Sequence, residues 1–168
     1  MNAQAFPQLA MRPMLPTDVP LLAEIFRASI EELTMDDYSP AQQEVWAAVA
    51  DDEEAFGAKL AGELTLVATL NGSPIGFGAL ADNSRIDMLY VHPGASGQGA
   101  AALLCDALEK LAAARGTKEL TVDASDAARG FFEKRGFSPY RRNTTMLGGE
   151  WLANTTMKKP LAATGRAP

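Results

Sequence analysis

Apolar residues recur along this chain at two spacings, and the switch between them marks out its elements. Leu9 to Met14 forms a short strand candidate ended by Pro16. Thr17 or Asp18 can cap a helix running to about Leu33, whose apolar face carries Leu21, Leu22, Ile25, Phe26 and Ile30. Thr34 to Tyr38 is a polar loop. Ser39-Pro40-Ala41-Gln42 reads as a capping box with proline at the first helical position, which predicts a second helix over about 40–50. The acidic block Asp51 to Glu54 then opens a short helix to about Ala61.

Period two takes over in the middle of the chain. Glu63 to Leu70 alternates apolar and polar, Asn71-Gly72 is a strong hairpin dipeptide, and Pro74 to Ala81 returns as the partner strand. Asp82-Asn83-Ser84 turns into Ile86 to Val91, an apolar run closed by His92-Pro93. Gly94 to Gly99 is a small-residue loop. From Gln98 onward Leu104, Leu108 and Leu111 recur at helical spacing, with Gly116 as the C-cap. Glu119 to Asp123 is a strand, and Ser125 or Asp126 caps a helix to about Arg135, ended by Gly136. Phe137 to Met146 and Trp151 to Lys158 flank Leu147-Gly-Gly-Glu150 as a terminal hairpin.

The strand, glycine loop and helix from Ile86 to Ala114 together make an anion site. The first N–H groups of a helix have no internal acceptor, and the macrodipole adds positive charge there. With Gly97, Gly99 and Ala101 in the loop, no bulky side chain would keep a phosphate from those N–H groups. No Gly-Lys-Ser/Thr follows, which excludes a P-loop, and the third glycine and distal acid of a dinucleotide fingerprint are missing.

The stretch resembles the central motif of the GCN5-related N-acetyltransferase (GNAT) superfamily. There, a strand ending in a Val-His-Pro-like corner leads into a Gln/Arg-x-x-Gly-x-Gly/Ala loop that holds the pyrophosphate of acetyl-coenzyme A. The six positions here are Ser96, Gly97, Gln98, Gly99, Ala100 and Ala101, with Ser96 where Gln or Arg is usual. Downstream, Ala128-Arg-Gly-Phe-Phe-Glu-Lys-Arg-Gly-Phe137 is similar to the family's Ala-x-x-Phe-Tyr-x-Lys-x-Gly-Phe signature. Asp37-Tyr-Ser-Pro40 ahead of a Trp-containing helix, with Ile86-Asp-Met-Leu-Tyr-Val-His-Pro93, resembles the YafP-like branch of that superfamily. The resemblance implies an α/β (α+β) GNAT fold: a mixed, strongly twisted central sheet of about seven strands with helices on both faces.

Composition narrows the picture. A chain of 168 residues with 47% hydrophobic content suits one domain over 1–168, with 1–8 and 161–168 as loose tails. The N-terminus lacks the basic start and apolar block of a signal peptide, and no apolar run reaches membrane-span length, so a soluble cytoplasmic protein with no membrane partner is expected. One cysteine, Cys105, permits no internal disulfide, and one histidine excludes a His-rich metal site. Residues 1–60 carry eleven acids against Arg12, Arg27 and Lys59, a net of −8, while the remainder carries +2. That distribution disfavours nucleic acid and suits a cationic acceptor beside an anionic coenzyme, though most of these acids could simply face water.

The resemblance also implies a chemistry, in which an amine attacks the thioester of acetyl-coenzyme A directly in a ternary complex. Backbone groups of Leu89, Tyr90 and Val91 would hold the pantetheine arm, and Gly97, Gln98, Gly99, Ala100 and Ala101 the pyrophosphate. Ser125 falls where the family has Asn, and Phe132 where it has the Tyr that protonates the leaving sulfur. A thiol of pKa about 8.5 needs only modest help to leave. Tyr38, Tyr90 and Tyr140 are the phenols that could substitute, and proximity favours Tyr90, which could equally be a packed strand aromatic. An alkyl amine of pKa about 10.4 needs a base. Asp87 is the one carboxylate inside the central strand; strict alternation puts it on the same face as Leu89, and it could equally pair with Arg85 or Arg12 as structure. His92, before a proline at a turn, is expected to bond the turn. Glu32, Asp37, Tyr38 and Trp46 are expected to wall the acceptor site. The expected activity is acetyl transfer to a primary amine of a small molecule. A coenzyme-binding module without catalysis and a protein N-acetyltransferase are the alternatives. The terminal hairpin offers a sheet edge at which a homodimer could form.

Overall fold

A computed structural model of the chain describes residues 8–162, so the expected tails at 1–8 and 161–168 fall almost wholly outside the described residues. The elements follow in the order β1 (Leu9–Pro13), α1 (Val19–Leu33), α2 (Pro40–Ala47), α3 (Glu53–Ala61), β2 (Leu64–Leu70), β3 (Ser73–Ala81), β4 (Arg85–Val91), α4 (Ala100–Ala114), β5 (Glu119–Ser125), α5 (Arg129–Lys134), β6 (Ser138–Leu147) and β7 (Glu150–Pro160). They build one mixed sheet in the order β1-β2-β3-β4-β5-β7-β6, antiparallel except for the β4–β5 pair. No helix among the described residues is long and apolar enough to cross a membrane.

Local chemistry explains most boundaries. Ser39 Oγ accepts from Gln42 N–H while Gln42 Oε1 accepts from Ser39 N–H, the reciprocal pair that starts α2. Asp52 caps α3 by accepting from Ala55 N–H. Asn71 and Gly72 both take positive φ, the primed turn that matches strand twist. The segment expected to be helical from Ser125 is shorter: Ser125 ends β5, its Oγ accepts from Ala128 N–H to make a turn, and α5 begins at Arg129. The strand pairing of Ser125 with Asn154 holds it extended and delays the helix.

Apolar clusters cover the sheet on both faces. Leu22, Phe26 and Ile30 of α1 and Phe56 and Leu60 of α3 pack on Val67, Phe77, Ala79 and Met88 on one face. Cys105, Leu108 and Ala112 of α4 and Phe132 of α5 pack on Leu80, Ile86, Leu120 and Val122 on the other. A Cβ at Gly78 would lie 3.0 Å from Leu108 Cδ1, so the missing side chain lets α4 sit close over β3. Cys105 is wholly buried in this core; burial, reinforced by Glu109, pushes its thiol up to about 12, which suits packing and not nucleophilicity.

Candidate active site

The sheet splits at its one parallel pair. β4 and β5 are joined only at Arg85–Thr121 and Ile86–Val122, although β4 stays paired to β3 up to Val91 and β5 to β7 up to Ser125. Beyond Ile86 and Val122 the strands diverge around a cavity of about 850 Å³. Its walls include Leu89, Tyr90 and Val91 of β4, Ser125 of β5, Phe132 of α5, and Leu152 and Asn154 of β7.

At one mouth of the cavity lies the glycine loop. Gly97 and Gly99 take φ of +84° and +88°, values that favour glycine. A Cβ at Gly97 would meet nothing within 4 Å, and one at Gly99 only Leu9 Cδ2 at 3.9 Å, so the ground above the loop is open. The cap of α4, Gly99, offers no capping side chain, which leaves the first-turn N–H groups for an incoming anion. Gly97, Gly99, Ala100 and Ala101 line the cavity, whereas Gln98 does not. The helix starts at Ala100, two residues later than expected, because the positive φ of Gly99 interrupts it. A pyrophosphate therefore fits this cradle. His92 Nδ1 accepts from Gly94 N–H at 3.0 Å, the turn-bonding role expected of it.

The α1–α2 loop closes the opposite side by way of the terminal hairpin. Tyr38 is buried, donates its hydroxyl to Ala153 O at 2.7 Å and accepts from Asp126 N–H at 3.0 Å. Its ring meets Trp46 edge-to-face at 5.2 Å, and Gln42 Nε2 donates to Trp151 O. Gly148, at φ +54°, tucks under α2, where a Cβ would come 2.8 Å from Val45 Cγ1. Tyr38 and Trp46 line the cavity as expected, but Glu32 and Asp37 are exposed and lie outside its lining. The acids of residues 1–60 thus contribute no side chain to the cavity wall.

Asp87 lines the cavity, yet its surroundings differ from the strict alternation of a strand. The β3–β4 register shifts between Ala79 and Leu80, so Asp87 is the extra residue of a bulge. The bulge breaks the period of two: Leu89 joins the core beside Ile86, while Met88 and Tyr90 face α1. Asp87 turns to the α3 side, where Lys59 Nζ lies 2.8 Å from Oδ2 and Arg85 Nη1 donates to Oδ1 at 2.5 Å. It does not share the Leu89 face, and Arg12 pairs with Asp18 instead. Lys59 also lies 3.4 Å from Glu63, a carboxyl that sequence reasoning missed. Burial pushes Asp87 up, but Lys59, Arg85 and Glu63 outweigh it and hold the group below the usual carboxylate range. Burial and the neighbouring Asp87 push Glu63 up. Asp87 Oδ2 is buried without an aligned donor, because Lys59 sits at ion-pair distance but off the bonding direction, and Glu63 Oε1 is buried without a donor because Lys59 reaches the other oxygen, Oε2.

Tyr90 packs edge-on to Phe26 at 4.7 Å and beside Phe77 at 5.8 Å. Burial drives its phenol far above the usual range, against a smaller opposing effect of Trp46. It is one of two phenols lining the cavity, and the hydroxyl of the other, Tyr38, is already engaged on both sides. Tyr140 is 61% exposed on β6 and outside the lining. Sequence reasoning also missed Asp123, Thr145, Leu152 and Asn154. Asp123 alone left a trace: a carboxylate between the apolar positions 122 and 124 of a strand.

A mixed sheet split at its only parallel pair, with an anion cradle at the mouth of the split, is the architecture of an acyl-coenzyme A-dependent transferase. Residues 34–161 match the acetyltransferase (GNAT) domain model, and the chain belongs to that family. It is 34% identical over 150 residues to the uncharacterized N-acetyltransferase YafP of Escherichia coli K12, covering 89% of this chain and 95% of that one. A crystal structure of a GCN5-related N-acetyltransferase from Rhodopseudomonas palustris superposes with a TM-score of 0.90 at 56% identity, covering 96% of this chain and 99% of that one. The PaiA N-acetyltransferase of Thermoplasma acidophilum, solved in complex with coenzyme A, shares the fold with a TM-score of 0.74 at 21% identity, over 91% and 99% of the two chains.

Proposed function

We propose that this protein transfers the acetyl group of acetyl-coenzyme A to a primary amine of a small molecule, by direct attack in a ternary complex. The observation that carries the reading is the continuity of the cleft: one cavity runs from the N–H cradle at Gly97 to Ala101, along β4, to the floor between Tyr38, Trp46 and β7. A phosphate-bearing arm and an acceptor can then meet in the gap between β4 and β5.

The cradle N–H groups would hold the pyrophosphate, and the unpaired β4 edge at Leu89, Tyr90 and Val91 would hold the arm. Ser125 Oγ already accepts from Ala128 N–H, which leaves its hydroxyl proton to donate toward the cleft. When bound, the coenzyme supplies an activated thioester. The amine nitrogen bonds to the acetyl carbon, the carbon–sulfur bond breaks, and the amine's proton must leave. Asp87 is the group assigned to accept it, through water. Its depressed basicity opposes that role, and Glu63, beside it with raised proton affinity, is where the proton would come to rest. Tyr90, whose phenol burial pushes above its ordinary range, is the group that would donate to the departing sulfur.

The test is amine-dependent thiol release from acetyl-coenzyme A. Turnover with small primary amines is expected. Coenzyme binding without any turnover would mark a binding module instead, and turnover confined to peptide amines a protein acetyltransferase.

A further inference from the structure

The two strands that separate beyond Ile86 and Val122 each carry an aspartate as the first residue past the last pair: Asp87 on β4 and Asp123 on β5. They are the only carboxylates lining the cavity among the described residues. Both face the α1–α3 side. Asp87 meets Lys59 of α3, and the neighbours of Asp123, Val122 and Ala124, point into the core on the α4 side.

Their charge balance is opposite. Asp87 has Lys59 and Arg85 against its two oxygens, whereas Asp123 forms no ion pair among the described residues. Asp123 is held by neutral groups alone: Thr156 Oγ1 donates to its Oδ1 at 2.5 Å, and Asn143 Nδ2 donates to Thr156 Oγ1 at 2.8 Å and to Asn154 Oδ1 at 2.9 Å. Thr156 is buried and Asp123 is exposed to the open cleft, so this row fixes the aim of the carboxylate while leaving it without an ion-pair partner among the described residues. A carboxylate so aimed, at the wall of a cleft, attracts cations.

We propose that Asp123 binds the ammonium group of the acceptor and makes the site selective for aliphatic, cationic amines over neutral ones. The assignment rests on the reading of the protein as an amine acetyltransferase and adds the residue that chooses the amine. An aliphatic amine of pKa about 10.4 arrives charged at neutral pH and finds in Asp123 a partner that Asp87, already paired twice, cannot be. The source of selectivity is thus one aimed carboxylate in the cleft, not the acidic surface of the first sixty residues.

Two measurements on the full chain test this. In calorimetry on coenzyme A-saturated protein, n-butylamine and spermidine should bind, and Asp123→Asn should weaken both by about 10- to 100-fold, the range of one lost charge-assisted hydrogen bond. Aniline, uncharged at neutral pH, should be unaffected. In thiol release the same loss should appear in KM with kcat nearly unchanged, and Thr156→Val, which keeps the charge but releases its aim, should raise KM several-fold. Asn can still accept from Thr156, so Asp123→Asn is expected to fold, and its melting temperature checks that. Equal loss for aniline and alkylamines, or alkylamine binding indifferent to Asp123→Asn, overturns the assignment. So does a wild-type protein that binds no alkylamine. Binding without thiol release would instead refute acetyl transfer while leaving Asp123 as the cation site.

Discussion

Gly99→Glu separates the cradle from the rest of the molecule. Gly99 caps α4 at φ +88°, and a Cβ there meets nothing nearer than 3.9 Å, so a side chain adds backbone strain without a clash. That strain is about 1–2 kcal/mol, which lowers the melting temperature of a chain this size by roughly 2–8 °C. The charge does the larger damage. A carboxylate about 4 Å from a phosphate charge, at an effective dielectric of 20, is repelled by about 4 kcal/mol, close to a thousandfold in affinity. Acetyl-coenzyme A at a hundred times its Kd should stabilise the wild type by about 2.7 kcal/mol, or roughly 5–11 °C. Under the same conditions Gly99→Glu should gain essentially nothing, while Gly99→Ala, with the same strain and no charge, should keep most of the shift. Thermal melts with and without the coenzyme, and with pantetheine as the arm lacking its pyrophosphate, read all three. A coenzyme shift in Gly99→Glu equal to that of the wild type would show that the phosphates bind elsewhere.

Three further outcomes follow from the contacts. Asp87→Asn should lower kcat by about a hundredfold with the coenzyme Kd unchanged, measured at saturating amine below the amine's pKa; unchanged kcat removes Asp87 as base. Tyr38→Phe leaves Ala153 O and Asp126 N–H without their partner, and should cost about 1–3 kcal/mol in denaturant unfolding and raise the acceptor KM. Asp18 accepts from Arg12 and from Leu15 N–H, which together outweigh burial and hold its carboxyl below the usual range. Its stabilisation is therefore full above the unfolded pKa of about 3.9 and is lost as pH falls through the lower folded value. Asp18→Asn should cost about 2 kcal/mol at pH 7, a moderate figure because Arg12 is a third exposed, and the gap from wild type should close in acid.

What the sequence determined by itself was whatever a few neighbouring residues decide. The Ser39–Gln42 box starts α2 because both of its hydrogen bonds close within four residues, and Asn71-Gly72 turns the β2–β3 hairpin because its backbone preference is local. The glycine loop into α4 is legible for the same reason: an open helix N-terminus and two glycines at positive φ need no distant partner to make an anion site. The motifs that resembled the GNAT family were local as well, and they carried the fold. What only the tertiary structure decided was where strands paired and stopped pairing. The bulge opposite Ala79 and Leu80 comes from the fit of β3 to β4, and it alone turns Asp87 away from Leu89 toward Lys59 and Glu63 of another segment. Tyr38 is a pin because Ala153, far along the chain, brings its carbonyl under the hydroxyl. Asp123 looks out on the cleft because β4 leaves β5 after two pairs, so a carboxylate that would otherwise border a strand faces open space with no ion-pair partner among the described residues. Periodicity gives a side chain its face only while the period holds, and charge gives it a role only once packing has settled which opposite charges lie within reach.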